Sequence, residues 1–369
     1  MKQEKYNKQL QLSHRPTALI ITVLALFVLL LSACSGNNNP NNTNSSATPV
    51  PTVNATTKNQ AMTQLQTFQQ WITLLKQNGG STTQYQQQYD SDQQAVQKAH
   101  TTADYQAALN KLNGHVDAIK LPTLKLEAQN LQKQLSQQVN DWGKTHTYYD
   151  DYNQTTYHLG YEYGATGIGG MVQESMDQAQ NPADYQQVVE DLQMYLHNWQ
   201  AMKANAADKN PYNEIHQSDL DLIKYYDKSD KKVVVVSLQE QAMRVYDHGQ
   251  LVRSLLVTTG RPDHPSLPGA WWVEGKQSPT VFKAGVPKSD PDWYPDTPIH
   301  YAMQYHSNGY FVHDSWWRVK YGPGTNFPHV DDSGDPFSAQ GSHGCVNISQ
   351  ANAAWVYSFV QLYTSIIIY

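Results

Sequence analysis

The 369-residue chain carries a formal net charge of −6 and a pI near 6.1; with no basic cluster along it, a nucleic-acid partner is excluded. Its length suits about two domains. Two cysteines in the whole sequence cannot build a disulfide framework, so stability must come from apolar burial.

At the N-terminus, Lys2, Lys5, Lys8 and Arg15 precede an apolar run from Ala18 to Leu31, the layout of a secretory signal. The run is shorter than the roughly 20 apolar residues a spanning helix needs, and it ends in Leu31-Ser32-Ala33-Cys34. That ending resembles the lipobox of bacterial lipoproteins. The resemblance implies that residues 1–33 are a cleaved signal peptide, that Cys34 is lipidated, and that the protein is extracytoplasmic and held to the cell membrane through that lipid. Cys345 is then left without a disulfide partner.

Residues 34–58 are Asn, Thr, Ser, Pro and Ala with almost nothing apolar. Such a composition cannot offset chain entropy by burial and reads as a disordered tether. Over residues 59–228 the apolar residues recur at helical spacing. Leu65, Phe68, Trp71, Ile72 and Leu75 mark one face, Leu124, Leu131, Leu135, Val139 and Trp142 a second, and Val188, Leu192, Tyr195, Leu196 and Trp199 a third. Thr101 to Gln106 and Asn181 to Gln186 both read as capped helix starts. The glycine-rich stretch Gly160 to Gly170 interrupts the pattern as a loop. Its neighbours Tyr157, Tyr161 and Tyr163 suit packing better than sugar stacking. This helical domain is assigned no chemistry.

Near Lys231 the pattern changes to that of strands. Val233 to Val236, then Met243, Val245 and Tyr246, then Leu251 to Val257 read as strands, with a hairpin turn at Asp247-His248-Gly249. Gly309 to Asp314 reads as a strand that delivers His313 near its end. A long Gly/Pro-punctuated loop follows to Gly341, then Ser342-His343-Gly344-Cys345-Val346-Asn347, a helix capped by Ser349, and a last strand at Ile366 to Ile368.

These residues carry a specific resemblance. Residues 229–369 are similar to the catalytic domain of the L,D-transpeptidase (YkuD-type) family, bacterial cell-wall enzymes built on a mostly β sandwich. The Val233 to Gly249 segment resembles its first hairpin. Thr259-Gly260-Arg261 and Pro265-Ser266-Leu267-Pro268-Gly269 resemble its turns, and Ser342 to Asn347 its Ser/Thr-His-Gly-Cys signature with the Asn ending of one subgroup. The expected architecture is an N-terminal mostly α-helical region followed by a mostly β catalytic domain. Two departures stand out: the loop from Ser315 to Gly341 is longer than the family's usual spacing, and Asp314 replaces a common Gly or Ser.

The chemistry is intelligible from the residues themselves. A thiol with a pKa near 8.5 is mostly protonated at neutral pH, so an acyl-transfer cysteine needs an imidazole to take its proton and hold the thiolate in an ion pair. Cys345 is the nucleophile expected here. By resemblance, His313 is the general base, the Asp314 backbone carbonyl orients it, and His343 lies beside the acyl site. The N–H groups of Gly344 and Cys345 are candidate oxyanion donors, because glycine permits close approach of the main chain. Ser342, His343, Asn347, Trp316 and Trp317 are the expected substrate contacts, Asn347 being equally suited to fixing the loop. His329, in the long loop, is the rival base, and that loop is long enough to serve as a lid.

The resemblance implies peptidoglycan stem peptides as partners and a cysteine acyltransferase: a tetrapeptide gives a thioester and D-alanine, and an amine of a second stem takes the acyl group. Water as acceptor would make an L,D-carboxypeptidase, and a protein amine an attachment enzyme. The non-enzyme alternative is a cell-wall-binding lipoprotein. The histidines lack metal-site spacing, so no metal or other cofactor is expected. Papain-like enzymes place Cys before His, whereas here His comes first.

Overall fold

The computed structural model describes residues 55–290 and 292–369. The signal-like run, Cys34 and most of the tether lie outside the described residues. Among those described, no helix is long and apolar enough to cross a membrane. The chain divides into two compact units, with the division falling after Glu127 inside a helix. The change from helix to strand comes later, near Lys232.

Three helices make the described part of the first unit: α1 (Ala55–Gln77), α2 (Thr83–Lys98) and α3 (Thr102–Gly143), whose last part belongs to the second unit. The face anticipated on α1 is buried, with Phe68 and Ile72 almost inaccessible and Trp71 half-buried against Val96, Leu112, Val116 and Ile119. Thr101 and Asp104 cap α3 reciprocally: the Asp104 N–H donates to Thr101 Oγ1 at 3.1 Å and the Thr101 N–H to Asp104 Oδ2 at 2.9 Å. Pro122 lies within α3. It removes one main-chain bond from the helix, while the Thr123 hydroxyl donates to the Ile119 carbonyl at 2.7 Å.

The second unit begins with the rest of α3 and then a hairpin, β1 (Thr147–Asp150) with β2 (Thr155–His158). The helical reading had no strand here. The signal was present in the Thr/Tyr-rich runs on either side of a turn, residue types that favour strands. After a 3₁₀ turn at Tyr161–Tyr163 come α4 (Ile168–Gln178), α5 (Pro182–Ala207) and α6 (Gln217–Tyr225). A full capping box between Asn181 and Asp184 starts α5 where the sequence placed it. Tyr163 packs edge-on against Trp199 at 5.0 Å, and both are buried.

The rest is a β-rich domain of two main sheets. One has five strands, in the order β5 (Gln250–Leu256), β4 (Ala242–Asp247), β3 (Lys232–Ser237), β13 (Ser365–Ile368) and β6 (Gly269–Trp272). The other has four: β12 (Val346–Ile348), β11 (Tyr310–Asp314), β10 (Ala302–His306) and β7 (Gly275–Gln277). A small ribbon pairs β8 (Thr280–Phe282) with β9 (Thr297–Ile299), and α7 (Gln350–Phe359) starts at Ser349, whose hydroxyl accepts from the Asn352 N–H. All four valines Val233 to Val236 are fully buried. A continuous apolar run is what a central strand covered on both faces requires.

Helices α5 and α6 are tied to the five-stranded sheet by buried polar groups. Asn198 donates to the Ile368 carbonyl at 2.9 Å, and Ser237 donates to Asn205 at 2.5 Å. Asp219 of α6 pairs with the Arg244 guanidinium of β4, accepts from Tyr246 at 2.7 Å and from Tyr369 at 2.5 Å, and is wholly buried. Arg244 also donates to Glu240 at 2.6 Å. Removing one partner of a buried pair strands the other charge in low dielectric. Arg244→Met should therefore cost about 3–5 kcal/mol in urea unfolding. Adding Asp219→Asn should recover part of that loss, and two losses that simply add would contradict the pairing.

Candidate active site

The register of two strands builds the site. Strand β11 runs parallel to β12 with His313 opposite Asn347 and Val312 opposite Val346. Cys345 immediately precedes β12, so Cys345 and Asn347 alternate onto one face, the face that His313 shares. Cys345, His313 and Asn347 all line a single cavity of about 390 Å³.

His313 is 4 % exposed. Its Nδ1 donates to the Asp314 carbonyl at 2.8 Å, which leaves Nε2 as the acceptor, and there it receives the Asn347 Nδ2–H at 2.9 Å. Burial, reinforced by the nearby Arg318 charge, depresses His313 to about 4, against the pull of Asp314. Cys345 is half-buried. Its thiol is directed at the Gly309 carbonyl, at 3.7 Å. Desolvation pushes it up to about 12, offset in part by the Phe311 backbone. Desolvation acts against the charged form of both groups, the thiolate of Cys345 and the imidazolium of His313, whereas the sequence reading looks for an ion pair.

The loop before Cys345 is held by residues far away in the chain. Ser342 Oγ donates to the Cys345 carbonyl at 2.5 Å, and the Ser342 N–H to the Thr259 carbonyl at 2.9 Å. Ser266, from the second turn that resembles the family, is buried and donates to the Gly344 carbonyl at 2.8 Å. The Gly344 N–H donates to Ser342 Oγ at 3.1 Å and is thereby already engaged, whereas the Cys345 N–H takes part in no hydrogen bond among the described residues.

Gly344 has φ +105°, and a Cβ there would stand 2.6 Å from the Tyr310 ring. Gly344→Ala should cost about 1–3 kcal/mol of stability. It should also slow acylation, since the strain falls beside the nucleophile. Thermal unfolding and stopped-flow acylation read the two effects, and a variant unchanged in both would contradict the geometry.

His343 lines the cavity and meets Arg261 at 3.1 Å through Nε2. Burial first, and then the Arg261 charge, depress it to about 4. Trp316 and Trp317 also line the cavity; Trp317 lies 6.0 Å from the His313 ring, and Trp316 is 52 % exposed with its indole N–H on the Pro298 carbonyl. His329 does not line it: its Nδ1 meets the Phe327 carbonyl at 2.8 Å. The long loop contributes Trp316, Trp317, Arg318, Asp335, Phe337 and Gln340 to the cavity wall.

Aromatic packing not legible in the sequence fixes this loop from behind. Phe327 is stacked on Tyr148 at 4.6 Å and on Tyr157 at 4.8 Å, both from the β1–β2 hairpin. Tyr161 donates to the Gly260 carbonyl at 2.7 Å and accepts from Asn326 at 2.8 Å. The tyrosines singled out beside the glycine-rich stretch therefore serve as packing residues.

Residues 231–368 match the family model of the YkuD L,D-transpeptidase catalytic domain. Similar curated proteins include L,D-transpeptidase 1 of Mycobacterium tuberculosis, 26 % identical over 153 residues that make up 41 % of this chain and 55 % of that protein. Another is the probable L,D-transpeptidase 3 of the same organism, 29 % identical over 112 residues, 30 % of this chain and 36 % of that one. Among solved structures, the L,D-transpeptidase from Mycobacterium smegmatis is 27 % identical, with a TM-score of 0.31 over 38 % of this chain and 58 % of that chain. The chain thus spans about half or less of the curated relatives it matches. The resemblance read from the sequence to the L,D-transpeptidase catalytic domain holds over residues 231–368.

Proposed function

We propose that this protein is a peptidoglycan L,D-transpeptidase whose nucleophile is Cys345. The observation that carries this reading is the β11–β12 register, which sets Cys345, His313 and Asn347 around one cavity within a domain that matches this family.

In the proposed reaction, Cys345 Sγ attacks the carbonyl carbon between the third residue of a stem tetrapeptide and its terminal D-alanine. With desolvation disfavouring both charged forms, the thiol proton passes to His313 Nε2 as the S–C bond forms. For that, Nε2 must exchange its bond with Asn347 for one with the thiol. The Cys345 N–H is free to donate to the oxyanion as it develops. Collapse breaks the C–N bond, His313 returns the proton to the departing D-alanine nitrogen, and a thioester remains. An amine of a second stem then attacks the thioester, giving up its proton to His313, and the thiol is regenerated.

Trp316, Trp317, Ser342 and His343 form the wall against which the peptide would lie. Lipidation at Cys34, with the tether ending where α1 begins at Ala55 rather than at residue 58, would place the enzyme on the outer face of the cell membrane. The helical segment before the catalytic domain is left without a chemical role.

Incubating the protein with a defined disaccharide-tetrapeptide and weighing the products tests the reading. Release of D-alanine together with a cross-linked dimer is the expected result. Tripeptide without dimer would indicate water as acceptor, and no D-alanine at all would remove the proposal.

A further inference from the structure

The cavity wall holds a cation that the mechanism above does not use. Arg318 is 4 % exposed yet lines the cavity shared by Cys345 and His313. Its Nη1 donates to the Gln340 carbonyl at 3.1 Å and its Nη2 to the Phe337 carbonyl at 3.4 Å, while its Nε has no partner among the described residues.

No carboxylate reaches Arg318 within ion-pair distance among the described residues, although two lie nearby. Asp331 spends its oxygens on the N–H groups of Val319, Lys320 and Ser333, and Asp335 accepts from the Phe337 N–H. Desolvation lowers Arg318 to about 10, still well above neutrality, so it stays charged. A buried guanidinium without a counter-ion is costly, and tying two carbonyls of a loop does not require a full charge. What fits is an anion brought in from outside, because a guanidinium suits a carboxylate better than any other side chain does.

We propose that Arg318 is a specificity-determining residue that receives a carboxylate of the donor peptide in the catalytic cavity. This rests on the L,D-transpeptidase reading, which supplies a donor ending in a free carboxylate one residue beyond the bond attacked. A carboxylate on the side chain of the third residue has the same chemistry. Recognition of the terminal group would make the enzyme reject donors extended past the fourth residue, since the charge would then lie elsewhere.

The test compares three donors on the wild-type protein: the free-acid tetrapeptide, its C-terminal amide, and a form with the third-residue side-chain carboxylate converted to amide. Release of D-alanine or D-alaninamide gives kcat and KM for each. Masking the carboxylate that Arg318 receives should lower kcat/KM by about 10², the scale of a lost charge-assisted hydrogen bond at a desolvated site. The donor that suffers identifies which carboxylate it is.

In Arg318→Gln the ratio of free acid to amide should fall toward one, and Arg318→Lys should keep part of it. A wild-type ratio near one for both amides would overturn the role of Arg318 while leaving the transpeptidase reading intact. So would an Arg318→Gln variant that loses activity on all three donors equally, the signature of a purely structural residue. Absence of turnover with every donor would instead overturn the reading itself, and the role of Arg318 with it.

Discussion

Cys345→Ala is expected to abolish both D-alanine release and cross-linking, with no residual turnover above background. The variant should unfold within about 1 kcal/mol of wild type, because a half-buried thiol contributes little packing and its removal leaves no charged partner behind. The thiol's contacts are weak ones with main chain, a long bond to the Gly309 carbonyl at 3.7 Å and the Phe311 backbone. Loss of activity with retained stability separates a nucleophile from a packing cysteine. Measurable turnover in the variant would move the chemistry elsewhere.

His313→Ala should lower the acylation rate by about 10² to 10⁴, the usual worth of a positioned acid–base group. The pH dependence carries the finer information. As a base His313 must be neutral, and burial holds it at about 4, so kcat/KM in the wild type should stay level from neutral pH down to about pH 4 and fall below that. Alkylation of Cys345 by iodoacetamide should be slow at pH 7 and rise with pH toward about 12, because the thiolate is disfavoured by desolvation rather than stabilised by an imidazolium. His313→Ala should accordingly leave that alkylation profile nearly unchanged. A wild-type profile already flat from about pH 5 would mean an ion pair exists after all. His329→Ala, a residue outside the cavity wall, should leave acylation within a few-fold of wild type.

What the sequence made legible was local. The four-valine run of β3, the Asp247-His248-Gly249 turn with His248 and Gly249 both at positive φ, the two capping boxes and the strand ending near His313 each depend on residues close together in the chain. So does the nucleophile, because Cys345 sits inside a six-residue motif. The missed features depend on distant pairs. From the sequence, Asn347 is a contact for either the peptide or the loop. The parallel β11–β12 register also sets it on His313 Nε2, and nothing in either segment alone shows that register.

The engagement of the Gly344 N–H by Ser342 Oγ is a local bond, yet it turns on a loop conformation fixed by Ser266, 78 positions upstream. The aromatic clamp on Phe327 joins the long loop to tyrosines of a hairpin that the helical reading did not contain. Arg318 carried a faint signal, a lone cation following Trp316 and Trp317. Only the fold shows it to be buried, with its Nε unpartnered among the described residues.

The most direct test of the central claim is intact-mass spectrometry of the protein quenched in acid during turnover of the stem tetrapeptide. The expected species is heavier by the acyl mass of the tripeptide, maps to Cys345, is discharged by hydroxylamine and is absent from Cys345→Ala. Turnover without any such species, or an adduct that persists in Cys345→Ala, would contradict it.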